Sequence, residues 1–216
     1  MSINLFEQKT VILGAGGHAR SVLGLAKDCR MEVCGCLAPK APDLKWNKDC
    51  PWLGDDRELE NLDRETVTML NGIGSIGSTT LRRKIFNQMR DLNYTFSTLL
   101  HPSAICPGDL THSEGTQVFA GVIIQPGVVL AENVILNTGC IIEHDCKVGK
   151  HTHVASGAVL SGNVTTGIGV HIGTGATIMQ GVKLGDYAVI GAGAVVINDV
   201  EPRSTLVGNP AKPLCH

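Results

Sequence analysis

The chain has 216 residues, enough for two modest domains, and its formal net charge at pH 7 is −2. Charged residues make up 18% of it, and no basic patch suggests binding to nucleic acid or to an anionic membrane surface. No apolar run approaches the roughly 20 residues of a membrane-spanning helix, and the polar residues within Met1–Thr10 are unlike a signal peptide. We therefore expect a cytoplasmic protein with small-molecule partners, no nucleic acid and no membrane span.

The eight cysteines have spacings that predict neither a disulfide framework nor a zinc site. Cys34 and Cys36 lie in an apolar segment, and Cys140 and Cys146 fall at inward positions of the repeat described below. We expect buried, inert thiols in a reducing compartment rather than cysteines that form an acyl-enzyme. The aromatic content of 4% also disfavours a stacking platform for single-stranded nucleic acid.

The chain begins with the pattern of a βαβ unit that has a glycine-rich first turn. Lys9–Leu13 has the pattern of a buried strand, Arg20–Cys29 has helical spacing, and Met31–Leu37 resembles a second strand. Glycines let the backbone approach a phosphate, and a helix N-terminus favours negative charge, so the turn Gly14–Ala19 predicts a phosphate site. The acid that a dinucleotide site needs about 20 residues later is absent, which favours a single nucleotide or a sugar nucleotide. A tight turn without a ligand is the alternative.

Four further elements complete a small α/β domain over residues 1–97, with a sheet that we expect to be parallel. They are a turn and short helix at Leu53–Leu59, a strand at Thr66–Ile73, a helix at Leu81–Leu92 and a last strand at Tyr94–Leu100. The helical spacing predicts one buried face, formed by Leu81, Ile85, Met89 and Leu92.

From Thr116 to Asn198 the sequence repeats every six residues. One column, every sixth residue from Val118 to Val196, is aliphatic at thirteen of its fourteen positions, and the column two residues earlier is small or β-branched throughout. A period of six fits neither a helix nor a long strand, and it is typical of a β-helix of short strands and tight turns. Three repeats make one triangular coil, so residues 18 apart are stacked. The second domain is therefore predicted to be a β-helix with a C-terminal cap, over residues 98–216.

The 18-residue coil predicts which side chains share a site. His144 lies two residues after the inward Ile142, hence at a corner, and Gly162 is stacked directly beneath it. Histidine suits the role of a general base because its pKa lies near neutrality, and a glycine here would leave room for a thioester. The adjacent Asp145 could orient the ring. A solvated corner histidine without a catalytic role is the alternative.

His153 and His171 are also 18 residues apart and are expected to be stacked on an outward face. With His151 nearby, the pair suggests a metal site of the kind found in trimeric β-helix carbonic anhydrases. Zinc needs three protein ligands, whereas only one vertical pair is evident. Interface packing or contact with a cofactor is therefore favoured, and no metal is expected.

Five segments distributed along the chain form a specific combination: Gly14–Ala19, Ile76-Gly77 with Arg82, His101–Ala104, Ile142–Cys146 and Val207–Lys212. Together with the hexapeptides they resemble the sialic-acid/bacillosamine-type sugar acetyltransferases. The resemblance implies an α/β N-terminal domain, with a small Rossmann-like parallel sheet that holds the acceptor sugar nucleotide, followed by a left-handed parallel β-helix. It also implies a homotrimer that binds acetyl-CoA in the groove between two β-helices.

The resemblance assigns roles to residues by position. His144 matches the general base, Asp145 its acidic neighbour, and Asn137 a polar residue close to the base. The matches to acetyl-CoA contacts are His153, Thr174, Ala192 and, through its backbone N–H near the thioester carbonyl, Gly162. The matches to sugar-nucleotide contacts are Gly16, Gly17, His18 and Gly77. The segment Gly208–Lys212 would lie near the CoA nucleotide, where Lys212 could meet a phosphate; a plain cap of the β-helix is the alternative.

The resemblance implies an acetyl-CoA-dependent N-acetyltransferase acting on the amine of a nucleotide-linked amino sugar in bacterial surface-glycan or glycoprotein biosynthesis. Relatives that act on UDP-amino sugars usually carry an acidic pair after the second strand, where this chain has Leu37-Ala38-Pro39. The nucleotide therefore stays open between UDP, GDP, dTDP and none. The alternatives are O-acetylation of a sialic-acid-like sugar, a zinc-dependent lyase, and a non-catalytic sugar-nucleotide-binding module.

Overall fold

The computed structural model describes residues 9–43 and 48–214; residues 1–8, on which the signal-peptide expectation depends, lie outside the described residues. Internal contacts divide the chain into two compact units. The first comprises residues up to Gly74 together with Ile85–Ser97, and the second comprises Ser75–Lys84 together with the chain from Thr98 onward. The predicted domain boundary between residues 97 and 98 stays a prediction. The contacts of Ser75–Lys84 place this segment in the second unit, although it precedes that boundary in the sequence.

The first unit contains a five-stranded parallel sheet. Its elements are β1 (Lys9–Leu13), α1 (Gly17–Asp28), β2 (Val33–Leu37), β3 (Trp52–Gly54), a 3-10 helix at Asp56–Asn61, β4 (Val67–Asn71), α2 (Thr80–Asp91, which belongs to this unit from Ile85 onward) and β5 (Thr95–Phe96). The strands are ordered β3-β2-β1-β4-β5. β2 lies beside β1 on one side, and β4, which comes later in the chain, lies beside β1 on the other side. The carboxyl ends of β1 and β4 therefore form the switch point at which open α/β sheets bind ligands.

The predicted apolar face of α2 is buried only in part, since Met89 lies in the core and Ile85 packs against it. Leu81 and Leu92 are exposed, whereas Arg82, Phe86 and Met89 are buried. Phe86 and Met89 pack in the core of the first unit, and Phe86 is stacked on the ring of Phe96 with the centroids 4.3 Å apart. Helical spacing favours the face with the most aliphatic residues, but the buried face of α2 is shifted from it towards Arg82 and Phe86.

The predicted last strand, Tyr94–Leu100, was wrong, because it is two strands. Thr95–Phe96 pairs with β4 and belongs to the first unit, whereas Leu99–Leu100 pairs with Gln117–Val118 and belongs to the second. The chain between them changes from one sheet to another, and a continuous apolar pattern does not reveal such a change.

The second unit is a parallel β-helix built almost entirely from two-residue strands. They are β6 (Leu99–Leu100), β7 (Thr111–His112), β8 (Gln117–Val118), β9 (Ile123–Ile124), β10 (Val129–Leu130), β11 (Ile135–Leu136), β12 (Ile141–Ile142), β13 (Lys147–Val148), β14 (His153–Val154), β15 (Val159–Leu160), β16 (Thr165–Thr166), β17 (His171–Ile172), β18 (Thr177–Ile178), β19 (Lys183–Leu184), β20 (Val189–Ile190), β21 (Val195–Val196), β22 (Thr205–Val207) and β23 (Lys212–Pro213). They form three sheets, and β23 returns antiparallel to β22.

The three sheets are the sides of the predicted triangular coil. The first contains β6, β8, β11, β14, β17, β20, β22 and β23, the second β9, β12, β15, β18 and β21, and the third β7, β10, β13, β16 and β19. Paired residues are 18 apart along most of the length, as for His153 with His171. Both predicted inward columns are buried throughout, which confirms the six-residue interpretation. The inward Thr166 hydroxyl accepts a hydrogen bond from the Gly149 N–H at 2.9 Å.

The repeat begins about one coil earlier than the sequence analysis located it. Leu99–Leu100 pairs with β8, and Thr111–His112 pairs with β10. The six-residue phase continues upstream of Val118 through His112, Cys106 and Leu100. Two of these three residues are not aliphatic, so the aliphatic column cannot be recognised upstream of Val118.

None of the helices at residues 9–43 or 48–214 has the length and apolar character that a membrane crossing needs.

Candidate active site

The glycine-rich turn of the first unit follows β1 at the switch point of the sheet. Gly16 is the N-cap of α1, and no side chain caps this helix. A Cβ atom added at Gly16 or Gly17 would meet no atom within 4 Å, so the turn is open. His18 packs on Gly74, where an added Cβ would lie 2.9 Å from the Cβ of His18. The open turn and the uncapped helix N-terminus suit an anionic group of a ligand.

His144 and Asp145 form a hydrogen-bonded pair at a corner between the second and third sheets. Nδ1 of His144 lies 2.8 Å from Oδ2 of Asp145, and both side chains are more than half exposed. Asp145 turns the chain with a left-handed φ of 62°, and its N–H donates to the carbonyl of Pro126 at 3.1 Å. Because the carboxylate accepts a hydrogen bond from Nδ1–H, Nε2 is the nitrogen left to accept a proton from a ligand.

Gly162 lies directly beneath the imidazole of His144, as the 18-residue coil predicts. A Cβ atom at residue 162 would lie 2.5 Å from Nε2 and 2.6 Å from Cε1 of His144. Its φ is outside the left-handed region, so glycine is needed here for space and not for conformation. A side chain at residue 162 would therefore collide with the histidine ring, and the expectation that this glycine leaves room for a thioester stays a prediction.

His153 and His171 are stacked on an outward face of the β-helix, as predicted, but another segment of the chain buries both side chains. Their side chains are in contact with their rings nearly perpendicular, at 84° and with centroids 5.2 Å apart. The hydroxyl of Ser75 lies 2.7 Å from Nδ1 of His153 and 3.1 Å from Nδ1 of His171. Nδ2 of Asn137 lies 3.4 Å from Nε2 of His153. The segment Ser75–Lys84 covers this side of the β-helix, and a six-residue pattern cannot reveal a cover from elsewhere in the sequence.

His151 does not join this pair. Its Nδ1 lies 2.9 Å from Nδ2 of Asn133, the residue one coil earlier. Burial lowers the pKa of His151 to about 4 and lowers the pKa of His171 as well, so both imidazoles are neutral near pH 7. Across residues 9–43 and 48–214, no group of three or more His, Cys, Asp or Glu side chains is arranged to hold a metal ion.

Cys140 and Cys146 are fully buried in the inward columns, as expected. Burial raises the pKa of the Cys140 thiol to about 12 and that of the Cys146 thiol to about 11. The Cys146 thiol also donates to the carbonyl of Ser161 at 3.2 Å. A thiolate is the nucleophilic form of cysteine, so neither group is suited to carry an acyl group near pH 7.

Thr174 and Ala192 lie at a different corner from His144, between the first and second sheets. The N–H of Gly193 donates to the carbonyl of Thr174 at 2.9 Å, and Ala192 is exposed one coil further along. Lys212 is exposed in β23. Within one chain, the structure therefore brings together His144, Asp145 and Gly162, and separately Asn137 and His153, but it does not bring His144 to the corner of Thr174 and Ala192.

Gly77 lies in a cavity of about 420 Å³ in the second unit, beside the beginning of α2. The cavity is lined by Gly77, Ser78, Thr79, Thr80, Arg83, Gly169, Tyr187, Val189 and Arg203. The Arg83 guanidinium donates to the Tyr187 hydroxyl, and its central carbon lies 4.7 Å from the centroid of that ring. Gly77 was predicted from the family resemblance, whereas Arg83 and Tyr187 were not predicted, since these two residues are about a hundred positions apart and neither belongs to a local motif.

Two family models match the chain: the PglD N-terminal domain over residues 9–89, and the bacterial transferase hexapeptide (six repeats) over residues 163–198. The acetyltransferase domain of PglB from Neisseria gonorrhoeae FA1090, solved in complex with acetyl coenzyme A, is 32% identical with a TM-score of 0.88, and the match covers 96% of this chain and 100% of that one. A mutant of perosamine N-acetyltransferase from Caulobacter crescentus, solved in complex with CoA and GDP-perosamine, is 30% identical with a TM-score of 0.88, and the match covers 96% and 97%.

These similarities include both units of the chain. They confirm the fold that the resemblance implies, a small Rossmann-like parallel sheet followed by a left-handed parallel β-helix. WeeI from Acinetobacter baumannii AYE shares this fold at 20% identity, with a TM-score of 0.84 and with 95% of this chain and 99% of that one covered. The chain belongs to the family of hexapeptide-repeat sugar acetyltransferases with a PglD-type N-terminal domain, and it is an acyltransferase.

Proposed function

We propose that the protein is an acetyl-CoA-dependent N-acetyltransferase that acetylates the amine of a nucleotide-linked amino sugar in bacterial surface-glycan or glycoprotein biosynthesis. The observation that carries the proposal is the His144–Asp145 pair held over Gly162 at an exposed corner of the β-helix. Two similar proteins support the substrate classes, since one was solved with acetyl coenzyme A and the other with CoA and GDP-perosamine.

In the proposed reaction the amine nitrogen attacks the carbonyl carbon of the thioester while Nε2 of His144 accepts the proton of the amine. The new C–N bond forms, the C–S bond breaks, and CoA leaves with its thiol protonated from the imidazolium. Asp145 holds the other ring nitrogen and stabilises the transient imidazolium. The N–H of Gly162 makes no hydrogen bond within the described ranges, and we propose it as the donor to the developing oxyanion.

The position of the candidate contacts suggests how the site is assembled. His144 lies at one corner of the β-helix, and Thr174 and Ala192 lie at the next corner, with the second sheet between them. We propose a homotrimer in which one subunit supplies His144 and Asp145. Its neighbour supplies Asn137 close to this base, His153, Thr174 and Ala192 as contacts of acetyl-CoA, and Lys212 as a contact of a CoA phosphate.

The acceptor and the location of the enzyme complete the proposal. Gly16, Gly17 and His18, at the switch point of the sheet, are proposed to bind the sugar nucleotide, and Gly77 is proposed as a further contact. We propose a cytoplasmic location, where acetyl-CoA and nucleotide sugars are available. The seven cysteines that the structure describes are all free thiols, which suits a reducing compartment.

The substrate is tested by measuring thiol release from acetyl-CoA with a panel of UDP-, GDP- and dTDP-linked amino sugars and with free sialic acid. We expect release with at least one nucleotide-linked amino sugar, and an amide as the product. An ester formed on sialic acid would instead establish O-acetylation. A lack of thiol release with every acceptor would favour the non-catalytic binding module.

The role of His144 is tested by His144→Ala. Loss of the general base should lower kcat by about 10²- to 10⁴-fold while the protein still binds CoA. The matched control is His112→Ala, which removes an exposed histidine from another strand of the β-helix. Near-normal turnover in the His144 variant would contradict the proposed mechanism, and an equal loss in both variants would point to a general effect on folding.

A further inference from the structure

Four buried or half-buried polar side chains form a continuous series on the first sheet of the β-helix. Asn137 contacts His153, the Ser75 hydroxyl lies between His153 and His171, and the atoms in contact are 3.4, 2.7 and 3.1 Å apart along the series. Of these four residues, the proposed function assigns roles to Asn137 and His153 only. Ser75 and His171 therefore need an explanation of their own.

The direction of each hydrogen bond follows from the chemistry of the groups. Oδ1 of Asn137 accepts from the N–H of Thr138 at 2.8 Å, which identifies the atom facing His153 as the amide nitrogen Nδ2. An amide NH₂ group only donates, so Nε2 of His153 accepts. A neutral His153 then carries its proton on Nδ1 and donates it to Ser75.

The hydrogen bond between Ser75 and His171 has a defined direction as well. The oxygen of Ser75 accepts from His153, so its single hydroxyl proton is available for Nδ1 of His171. His171 then carries its own proton on Nε2. Burial lowers the pKa of His171, which keeps this ring neutral and its Nδ1 able to accept near pH 7. The four groups thus donate in one direction, from Asn137 towards His171.

We infer that Ser75 is a positioning residue: its hydroxyl, oriented by His171, holds His153 as the Nδ1–H tautomer with the lone pair of Nε2 beside Asn137. Nε2 has a single lone pair, which Asn137 occupies, so a ligand group that takes the place of Asn137 at this edge must itself be a hydrogen-bond donor. The tautomer follows from the geometry of this chain, whereas its effect on acetyl-CoA rests on the proposed function.

The tautomer is tested by nuclear magnetic resonance of the full-length protein labelled with ¹⁵N in histidine, with His153→Asn and His171→Asn used to assign the signals. We expect a protonated Nδ1 in His153 and a protonated Nε2 in His171. In Ser75→Ala, His153 should become a mixture of the two tautomers, and Ser75→Thr should restore the original state. A proton on Nε2 of His153 in the wild type, or an unchanged ring in Ser75→Ala, would overturn the inference.

The control for this experiment is Ser103→Ala. It removes another serine–histidine hydrogen bond of the β-helix, the contact of 2.8 Å between the Ser103 hydroxyl and Nδ1 of His101. It should leave the His153 signals unchanged. A change of His153 in this variant as well would mean that any loss of such a bond disturbs the ring, and the specific role of Ser75 would be lost.

The consequence for the reaction is tested by kinetics. Ser75→Ala should raise the KM for acetyl-CoA about threefold to tenfold, the range expected for the loss of one neutral hydrogen bond, with a smaller change in kcat. Ser75→Thr should restore the wild-type KM, and Ser103→Ala should not change it. An unchanged KM in Ser75→Ala would overturn the positioning role. If the wild type transfers no acetyl group, the proposed function fails, while the magnetic resonance result still decides the tautomer.

Discussion

The lack of a side chain at Gly162 decides where the imidazole of His144 can lie. Gly162 has an ordinary backbone conformation, so its lack of a Cβ serves only to admit the ring above it. Asp145 holds the same ring from the side at 2.8 Å. The position of the candidate base therefore depends on one neighbour that attracts it and on another that leaves room for it.

Gly162→Ala should impair catalysis much more than stability. The new Cβ would lie 2.5 Å from Nε2, and the exposed histidine ring would swing away while the backbone stays as it is. A displacement of about 1 Å can cost about 10²-fold in rate, so we expect kcat to fall by roughly 10- to 100-fold with a nearly unchanged Tm. The measurements are steady-state kinetics and thermal unfolding.

The matched control is Gly108→Ala in the same unit, where an added Cβ meets nothing within 4 Å and the φ is also ordinary. This variant should keep wild-type kinetics. Full activity in Gly162→Ala, or an equal loss of activity in both variants, would contradict the view that residue 162 acts through the ring of His144.

At the scale of elements, each corner of the β-helix is a column of residues with left-handed backbone conformation. In one column Asn133, His151, Gly169 and Tyr187 have φ values of 56°, 61°, 65° and 59°. His151 is buried in this column, and burial lowers its pKa to about 4 from an ordinary value of 6.5. A buried neutral histidine in the β-helix makes stability depend on pH.

Acid should destabilise the β-helix through His151, and His151→Asn should reduce this effect. In the unfolded chain His151 binds a proton below about pH 6.5, whereas in the folded protein it binds one only below about pH 4. The stability that is present above pH 6.5 is therefore lost as the pH falls towards 4. The full shift corresponds to roughly 3 kcal/mol. Asparagine tolerates the left-handed conformation and can still bond to Asn133.

The measurement is chemical denaturation followed by circular dichroism, at about pH 7 and about pH 4.5, for the wild type and for His151→Asn. The wild type should lose more stability between the two pH values than the variant does. Equal losses in the two proteins would show that His151 is not the group responsible. A residual loss is expected in both, because His171 also has a pKa lowered by burial.

At the scale of the whole molecule, the proposed site joins residues from different corners of the β-helix, so under the proposed function it would need more than one chain. His144 lies at one corner of the β-helix, and Thr174 and Ala192 lie at another. If the protein is a homotrimer, its mass in solution should be three times the chain mass of 22.8 kDa, about 68 kDa, by light scattering. A fully active monomer would contradict the shared site.

A mixing experiment tests the shared site directly. His144→Ala lacks the base, and Ala192→Trp places a bulky ring on an exposed position of the proposed acetyl-CoA groove. Each variant alone should be nearly inactive. Trimers reassembled from equal amounts of the two should recover about a quarter of the wild-type activity, because one interface in four pairs an intact base with an intact groove.

The control for the mixing experiment combines His144→Ala with the double variant that carries both substitutions. No interface in that mixture has an intact base, so no activity should return. If the two single variants also fail to recover activity, the base and the acetyl-CoA contacts do not come from different subunits.

The β-helix, its 18-residue coil and the stacking of His144 on Gly162 were predictable from the sequence. These features depend on contacts between residues one coil apart, so the pattern that specifies them is local and periodic. The glycine-rich turn after β1 was predictable for the same reason, because it belongs to one short βαβ motif.

The segment from outside the repeat that covers one side of the β-helix was not predictable from the sequence. Ser75 contacts His153 across 78 positions of sequence, and Arg83 contacts Tyr187 across 104. Nothing in a six-residue period indicates that such a segment covers one side of the coil. His153 and His171 are therefore buried although they lie on an outward face of the coil, and in α2 Arg82 is buried whereas Leu81 and Leu92 are exposed.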